Sequence, residues 1–146
     1  MMRYATKYDM PHLIEMMRAY ADEAGIETLK QNQNEGHVKT LFYEMIKGRG
    51  FVLIDDQFRG FLAAYVTSNF WNSAVKELHE VAWWVVPEFR DTSVGGKLWL
   101  RFNKLAQDML DQKRVQIVCT SLMPNSPNID YTRYNFKPMQ ATFFRE

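Results

Sequence analysis

The run Leu78-His79-Glu80-Val81-Ala82-Trp83-Trp84-Val85-Val86-Pro87-Glu88-Phe89-Arg90-Asp91-Thr92-Ser93-Val94-Gly95-Gly96-Lys97 constrains the fold more than any other part of the chain. An apolar strand passes through Pro87 and a group of small residues into the opening of a helix. Peptide N–H groups at such a junction lack partners and point outward with the positive end of the helix dipole, which suits them to an anion such as a diphosphate. Alternation places Val81, Trp83 and Val85 on one face of the strand and Glu80, Ala82 and Trp84 on the other. Both faces are largely apolar, so the strand is central in its sheet.

The paired glycines do not make a nucleotide P-loop. That motif needs glycine at position 91 and Ser or Thr after the lysine, where this chain has Asp91 and Leu98. A dinucleotide GxGxxG is absent too. Taken alone, Gly95 and Gly96 are equally well explained by close packing of the helix on the strand.

Around this unit the periodicity predicts the remaining elements. Asp9 and Pro11 open a first helix with Leu13, Ile14, Met17, Tyr20 and Ala21 at helical spacing, running to about Asp22. Glu23 to Glu35 is polar and reads as a loop or a frayed short helix. A second helix presents Val38, Leu41, Phe42, Met45 and Ile46 and is stopped by Gly48 and Gly50. Phe51–Ile54 and Phe58–Val66 form a hairpin about Asp55-Asp56-Gln57. The helix after Gly95 carries Leu98, Phe102, Leu105, Ala106 and Met109 on its sheet side. Val115–Thr120 reads as a strand, Pro124–Pro127 as a turn, Asn128–Tyr134 as a short helix and Phe136–Phe144 as a last extended segment. The resulting order is βααβββαβαβ, an α/β chain with a mixed sheet and helices on both faces. No repeat or linker divides residues 1–146, which read as one domain.

The net charge of +1, from 18 basic and 17 acidic residues, gives no electrostatic footprint for nucleic acid or anionic lipid. One cysteine, Cys119, excludes an internal disulfide framework and suggests a reducing cytoplasm. The histidines His12, His37 and His79 lack metal-ligand spacing, so no metal is expected. Arg3, Lys7 and Asp9 interrupt the start before an apolar run forms, and no stretch approaches the ~18 apolar residues of a membrane span. A soluble protein is expected.

Four elements, in order across nearly the whole chain, resemble the GNAT superfamily of acyl-CoA N-acyltransferases. They are Arg3-Tyr4-Ala5-Thr6-Lys7-Tyr8-Asp9-Met10-Pro11, Asp55-Asp56-Gln57-Phe58-Arg59-Gly60-Phe61, Val85 to Gly95 against a Gln/Arg-x-x-Gly-x-Gly/Ala pattern, and Asn125 followed by Tyr131-Thr132-Arg133-Tyr134-Asn135-Phe136. Ser93 and Asn135 stand where the pattern has glycine. Asn tolerates a left-handed backbone well. Ser93 either crowds the anion or contributes its hydroxyl to a phosphate or to the helix cap.

The resemblance implies acetyl-CoA as co-substrate, lying in a cleft where the motif strand splays from the strand Val115–Thr120. It places the pantetheine arm along Trp84, Val85 and Val86, and the diphosphate on Arg90, Asp91, Thr92, Ser93, Val94, Gly95 and Gly96, with Asn125 nearby. The implied reaction is direct attack by a primary amine, from a small molecule or a peptide, with a homodimer as a further expectation. An alkylamine of pKa about 10.4 is protonated at neutral pH, so a base assists. Glu80, a carboxylate on an apolar strand, is the candidate; His79 or a water chain are alternatives, and Glu80 at the strand's start also fits a solvated or ion-paired group. The resemblance makes Tyr131 the acid that protonates the departing thiolate; a packing tyrosine is the other reading. Cys119 reads as a buried thiol without chemistry. Phe70, Trp71, Tyr20, Phe42 and Tyr43 are candidates for an acceptor pocket, although core packing explains most of them. A non-catalytic CoA-sensing or structural interaction module is the competing function.

Overall fold

Thr6 and Asp9 cap a 3-10 turn at Lys7–Asp9 that leads into the first helix, and the Asp9 side chain makes no capping bond to that helix itself, contrary to expectation. The Thr6 hydroxyl accepts from the Tyr8 N–H at 3.3 Å, and the Asp9 carboxylate accepts from the Thr6 N–H at 2.8 Å while pairing with Arg3. In this reciprocal cap two helix-end donors are satisfied at once. The computed structural model describes residues 1–124 and 126–146. Helix α1 spans Met10–Glu23, followed by α2 at Glu27–Gln31, α3 at Glu35–Ile46 and α4 at Val94–Asp111. The sheet comprises β1 Met2–Tyr4, β2 Gly50–Asp55, β3 Gly60–Ser68, β4 Lys76–Val85 and β5 Ile117–Cys119, in the spatial order β1-β2-β3-β4-β5. The first four strands pair antiparallel, and β5 lies parallel to β4.

Two apolar cores sandwich this sheet. On one face, α4 packs Val94, Leu98, Trp99, Phe102, Ala106 and Met109 against Phe51, Leu53, Leu62, Ala64 and Leu78. On the other, Leu13, Ile14, Phe42 and Met45 from α1 and α3 meet Val52, Ile54, Phe61, Ala63 and Ala82. Alternation along β2 and β3 produces this division, and each fully buried Leu or Phe contributes roughly 1.5–3 kcal/mol.

The β2–β3 turn is organised by Asp55. Its buried carboxylate accepts from the Arg59 guanidinium at 2.6 and 2.9 Å and from the Arg59 and Gln57 peptides at 3.2 and 3.3 Å. These bonds hold its pKa down, to about 2. Phe58 sits in the left-handed region at φ 58° and stacks on His12, which delays β3 to Gly60 instead of the expected Phe58. At Gly50, φ is 121° and a Cβ would lie 2.0 Å from the Ala64 carbonyl oxygen, so only glycine fits.

Four expectations are corrected. Pairing jumps from Ala63↔Ala82 to Ala64↔Glu80, a β-bulge that leaves Val81 exposed. Glu80 therefore joins the α4-facing side with Leu78, Trp83 and Val85, and not the side of Ala82 and Trp84. The strand expected over Val115–Thr120 contracts to Ile117–Cys119, the three residues that pair with β4. The extended segment Phe136–Phe144 pairs with nothing among the described residues; Phe143 and Phe144 are exposed, and Pro138 lacks the N–H that a ladder needs. The Asn128–Tyr134 helix shortens to a 3-10 turn at Tyr131–Tyr134. Glu27–Gln31 realises the short-helix reading of Glu23–Glu35.

Candidate active site

Strands β4 and β5 part company early. Their pairing covers Glu77↔Ile117, Leu78↔Val118 and His79↔Cys119, whereas β4 continues to Val85. Beyond His79, the β4 edge that faced β5 has no strand beside it among the described residues. The Val86 N–H donates to the Arg59 carbonyl at 2.8 Å, which sets the antiparallel alternation: Ala82 and Trp84 turn their peptide groups toward β3, and Trp83 and Val85 turn theirs into the gap. The Val85 carbonyl accepts from Arg90 Nε at 2.9 Å. What faces the gap unpartnered is the Trp83 peptide pair and the Val85 N–H. Of the three residues expected along a pantetheine arm, only Val85 presents a free group there; Trp84 and Val86 are engaged with β3 and the following turn, while Trp83 was missed. The bulge shifts which peptides face outward by one residue, and no single-strand pattern reveals that shift.

At the start of α4, the expected cradle from Arg90 to Gly96 is only partly free. The Arg90 N–H donates to Pro87, the Thr92 N–H to Phe89, and the Val94 N–H to the Thr92 hydroxyl. The N–H groups of Asp91, Ser93, Gly95 and Gly96 have no partner among the described residues. A Cβ on Gly96 would meet nothing within 4 Å, whereas one on Gly95 would touch Val85 Cγ2 at 3.4 Å. Gly95 thus serves helix-to-strand packing, and Gly96 borders open space. Ser93 is exposed, and its side chain makes no capping bond, contrary to the capping expectation. Asn125 lies outside the described residues.

Arg90 acts through its side chain as well. Its guanidinium forms a two-pronged pair with Glu23 at 2.5 and 2.6 Å, and Glu23 also accepts from the Trp84 indole at 2.7 Å. The last residue of α1 is thereby tied to the turn that carries the free N–H groups. The Arg90 bonds, with a smaller contribution from the Trp84 indole, hold the Glu23 carboxylate below its usual range. Glu23 lies in a polar stretch with no periodicity, so nothing in the sequence marks this link.

Glu80 sits one residue past the last β4–β5 pair, at the vertex of the gap. Burial raises its pKa to about 7, opposed by a hydrogen bond from the Thr120 hydroxyl at 3.3 Å. Tyr131 lies on the same side, its ring edge-on to Trp99 at 5.6 Å and to Phe136 at 6.3 Å. Burial and the Glu80 charge both push its hydroxyl pKa up. Tyr20, from α1, is raised by the same two causes, with a smaller push from Glu23. Thr120, which was not anticipated, contacts Glu80 at the vertex, and the hydroxyls of Tyr131 and Tyr20 both feel the Glu80 charge. His79 points to the opposite sheet face, where its Nε2 lies 2.9 Å from Glu77 Oε1. Phe42 is buried in the core and is withdrawn as a pocket residue, while Phe70 and Trp71 form an exposed loop tip. Cys119 is half-buried, with its thiol raised by burial and by Glu77.

A five-stranded mixed sheet whose parallel edge strand parts from its neighbour β4 after three pairs, beside a helix with a free N-terminus, defines the class of fold. Comparison with solved structures places it: the chain has the fold of the GNAT acetyltransferases. A predicted acetyltransferase from Clostridium acetobutylicum, solved with acetyl-CoA, superposes with a TM-score of 0.70 at 13% identity, covering 100% of this chain and 96% of that one. An aminoglycoside acetyltransferase from an uncultured soil metagenomic sample, solved with trehalose, gives 0.65 at 13% identity, with 100% and 95% covered. Glucosamine-6-phosphate N-acetyltransferase from Arabidopsis thaliana gives 0.64 at 12% identity, with 100% and 97% covered. No family model matches the sequence, and no curated protein does. Among the described residues no helix is long and apolar enough to cross a membrane.

Proposed function

We propose that this chain transfers an acetyl group from acetyl-CoA to a primary amine by direct attack, with Glu80 as base and Tyr131 as acid. The observation that carries this reading is the unpartnered β4 edge at Trp83 and Val85, which opens onto the free N–H groups of Ser93, Gly95 and Gly96. Orphan peptide groups on a strand edge require partners, and an amide-containing arm fits them as an added strand does. The α4 N-terminus suits a diphosphate for the same electrostatic reason. When bound, acetyl-CoA supplies a thioester carbonyl as the electrophile. The Val85 N–H, aimed into the gap, is placed to stabilise developing negative charge on an oxygen. Glu80, with its pKa near the working pH, takes the amine proton directly or through water. Tyr131 donates its hydroxyl proton to the leaving sulfur and is restored by solvent. The Arg90–Glu23 pair holds the anion-binding turn against α1.

Calorimetry with acetyl-CoA, followed by thiol-release assays over a panel of amines, tests the proposal. Saturable binding with amine-dependent CoA release supports it; no binding at millimolar ligand overturns it, and binding without release from any amine favours the non-catalytic sensor. In the active case log kcat/KM rises through about pH 7, and Glu80→Gln lowers it by about 10²–10⁴-fold.

A further inference from the structure

On the sheet face opposite Glu80, a second group of reactive side chains is left unused by this chemistry. Glu77, His79 and Cys119 each offer one ligand atom, and these atoms all lie within 4.8 Å of one another. Glu77 Oε1 is the hub, 2.9 Å from His79 Nε2 and 4.0 Å from Cys119 Sγ. Its other oxygen accepts from the Asn69 amide, whose own oxygen is held by the Trp71 and Asn72 peptides. His79 and Cys119 are directly opposite each other in the last β4–β5 pair.

We infer that Glu77 Oε1, His79 Nε2 and Cys119 Sγ bind a zinc-class divalent cation that clasps β4 to β5 at the vertex of the splay. Carboxylate, imidazole and thiolate are the donor types that zinc takes. A tetrahedral ion with Zn–N and Zn–O bonds of about 2.0 Å and a Zn–S bond of about 2.3 Å needs its ligand atoms roughly 3.3–3.6 Å apart. The two Glu77 contacts, at 2.9 and 4.0 Å, bracket that spacing, and the His79–Cys119 pair, within 4.8 Å, closes on the ion by side-chain rotation of up to about 1.3 Å. Asn69 orients the carboxylate as an outer partner. His79 is partly exposed, which leaves an entry path and a fourth position for water. On binding, the Cys119 thiol loses its proton to solvent and the sulfur coordinates as thiolate.

A nucleophilic cysteine is the other chemistry such residues suggest, and the geometry opposes it. An activated thiol hydrogen-bonds to the histidine, with the carboxylate behind the ring. Here the carboxylate lies between the two and contacts both. Among the described residues β5 has three pairs to β4 and no strand on its other side, so a cross-strand ion adds a tether to a short edge pairing. The sequence expectation of no metal rested on spacing along the chain; these ligands come from two distant strands.

The test is titration of chelator-treated protein with Co²⁺ and then Zn²⁺. The expected result is one equivalent of Co²⁺ per chain, with an intense near-ultraviolet thiolate-to-cobalt band that Zn²⁺ abolishes. Cys119→Ser removes that band, and Asn69→Ala weakens binding by about 10–100-fold. The wild-type spectrum stands whether or not a variant folds, and circular dichroism checks each variant. Absence of one-equivalent binding, a cobalt spectrum without the thiolate band, or Zn²⁺ binding unchanged in both Cys119→Ser and His79→Ala overturns the inference.

Discussion

Replacing Glu80 by Gln separates the cost of burying a carboxylate from its use. Glu80 has its pKa raised from 4.5 to about 7, and the first cause is burial. A folded-state pKa above the unfolded value means that the native state binds the proton more tightly. Its stabilising effect is complete below about pH 4.5 and is lost as pH rises through about 7. Above that range the native state carries a desolvated charge that costs, at 1.36 kcal/mol per pKa unit, about 3 kcal/mol. Glutamine keeps the shape and still accepts from Thr120, yet never ionises. Urea denaturation of both proteins between about pH 5 and pH 8 reads this difference. Glu80→Gln is expected to be more stable by less than about 1 kcal/mol at pH 5 and by roughly 3 kcal/mol at pH 8, or about 6–12 °C in Tm. On the proposed mechanism the same variant also loses acetyl transfer, so stability and activity are expected to move in opposite directions. A gap that stays flat with pH, or a variant less stable at pH 8, refutes the burial argument.

Asp55→Asn is expected to cost about 2 kcal/mol at neutral pH, since the native carboxylate titrates at about 2 instead of 3.8. A depressed folded pKa stabilises above about 3.8, so the wild-type advantage fades as pH falls toward 2, which acid titration of urea midpoints checks. Asn135 adopts φ 66° after the 3-10 turn, as the left-handed tolerance of Asn implied. Asn135→Gly leaves Tm close to wild type, whereas Asn135→Val lowers stability by roughly 1–2 kcal/mol in the same assay. Gly50→Ala combines a positive φ with a 2.0 Å collision against the Ala64 oxygen, and a loss of roughly 3 kcal/mol or more is expected by thermal melting.

Much of the architecture was legible in the residue pattern. The 3.6-residue stripe of Leu98, Phe102, Ala106 and Met109 specifies a helix against a sheet, and the alternation of β2 and β3 assigns their residues to two cores. The strand–Pro–small-residue junction marks a helix N-terminus with free amides, because that vacancy follows from backbone covalent structure. Local periodicity is sufficient for such features, since each is decided by neighbours along the chain.

Tertiary pairing decided the rest. The bulge at Val81 turned Glu80 onto the face of Tyr131, and the end of β5 at Cys119 left the Trp83 and Val85 peptides without partners. Glu23 reached Arg90 and Trp84 from the far end of α1. Glu77, His79 and Cys119 converged only because two strands far apart in sequence align in parallel. Sequence by itself determined the helices α1, α3 and α4, the hairpin strands β2 and β3 and the faces these bury, because hydrophobic periodicity is a local property. Strand register, and with it which polar groups meet, depends on contacts between segments that no pattern within either one specifies.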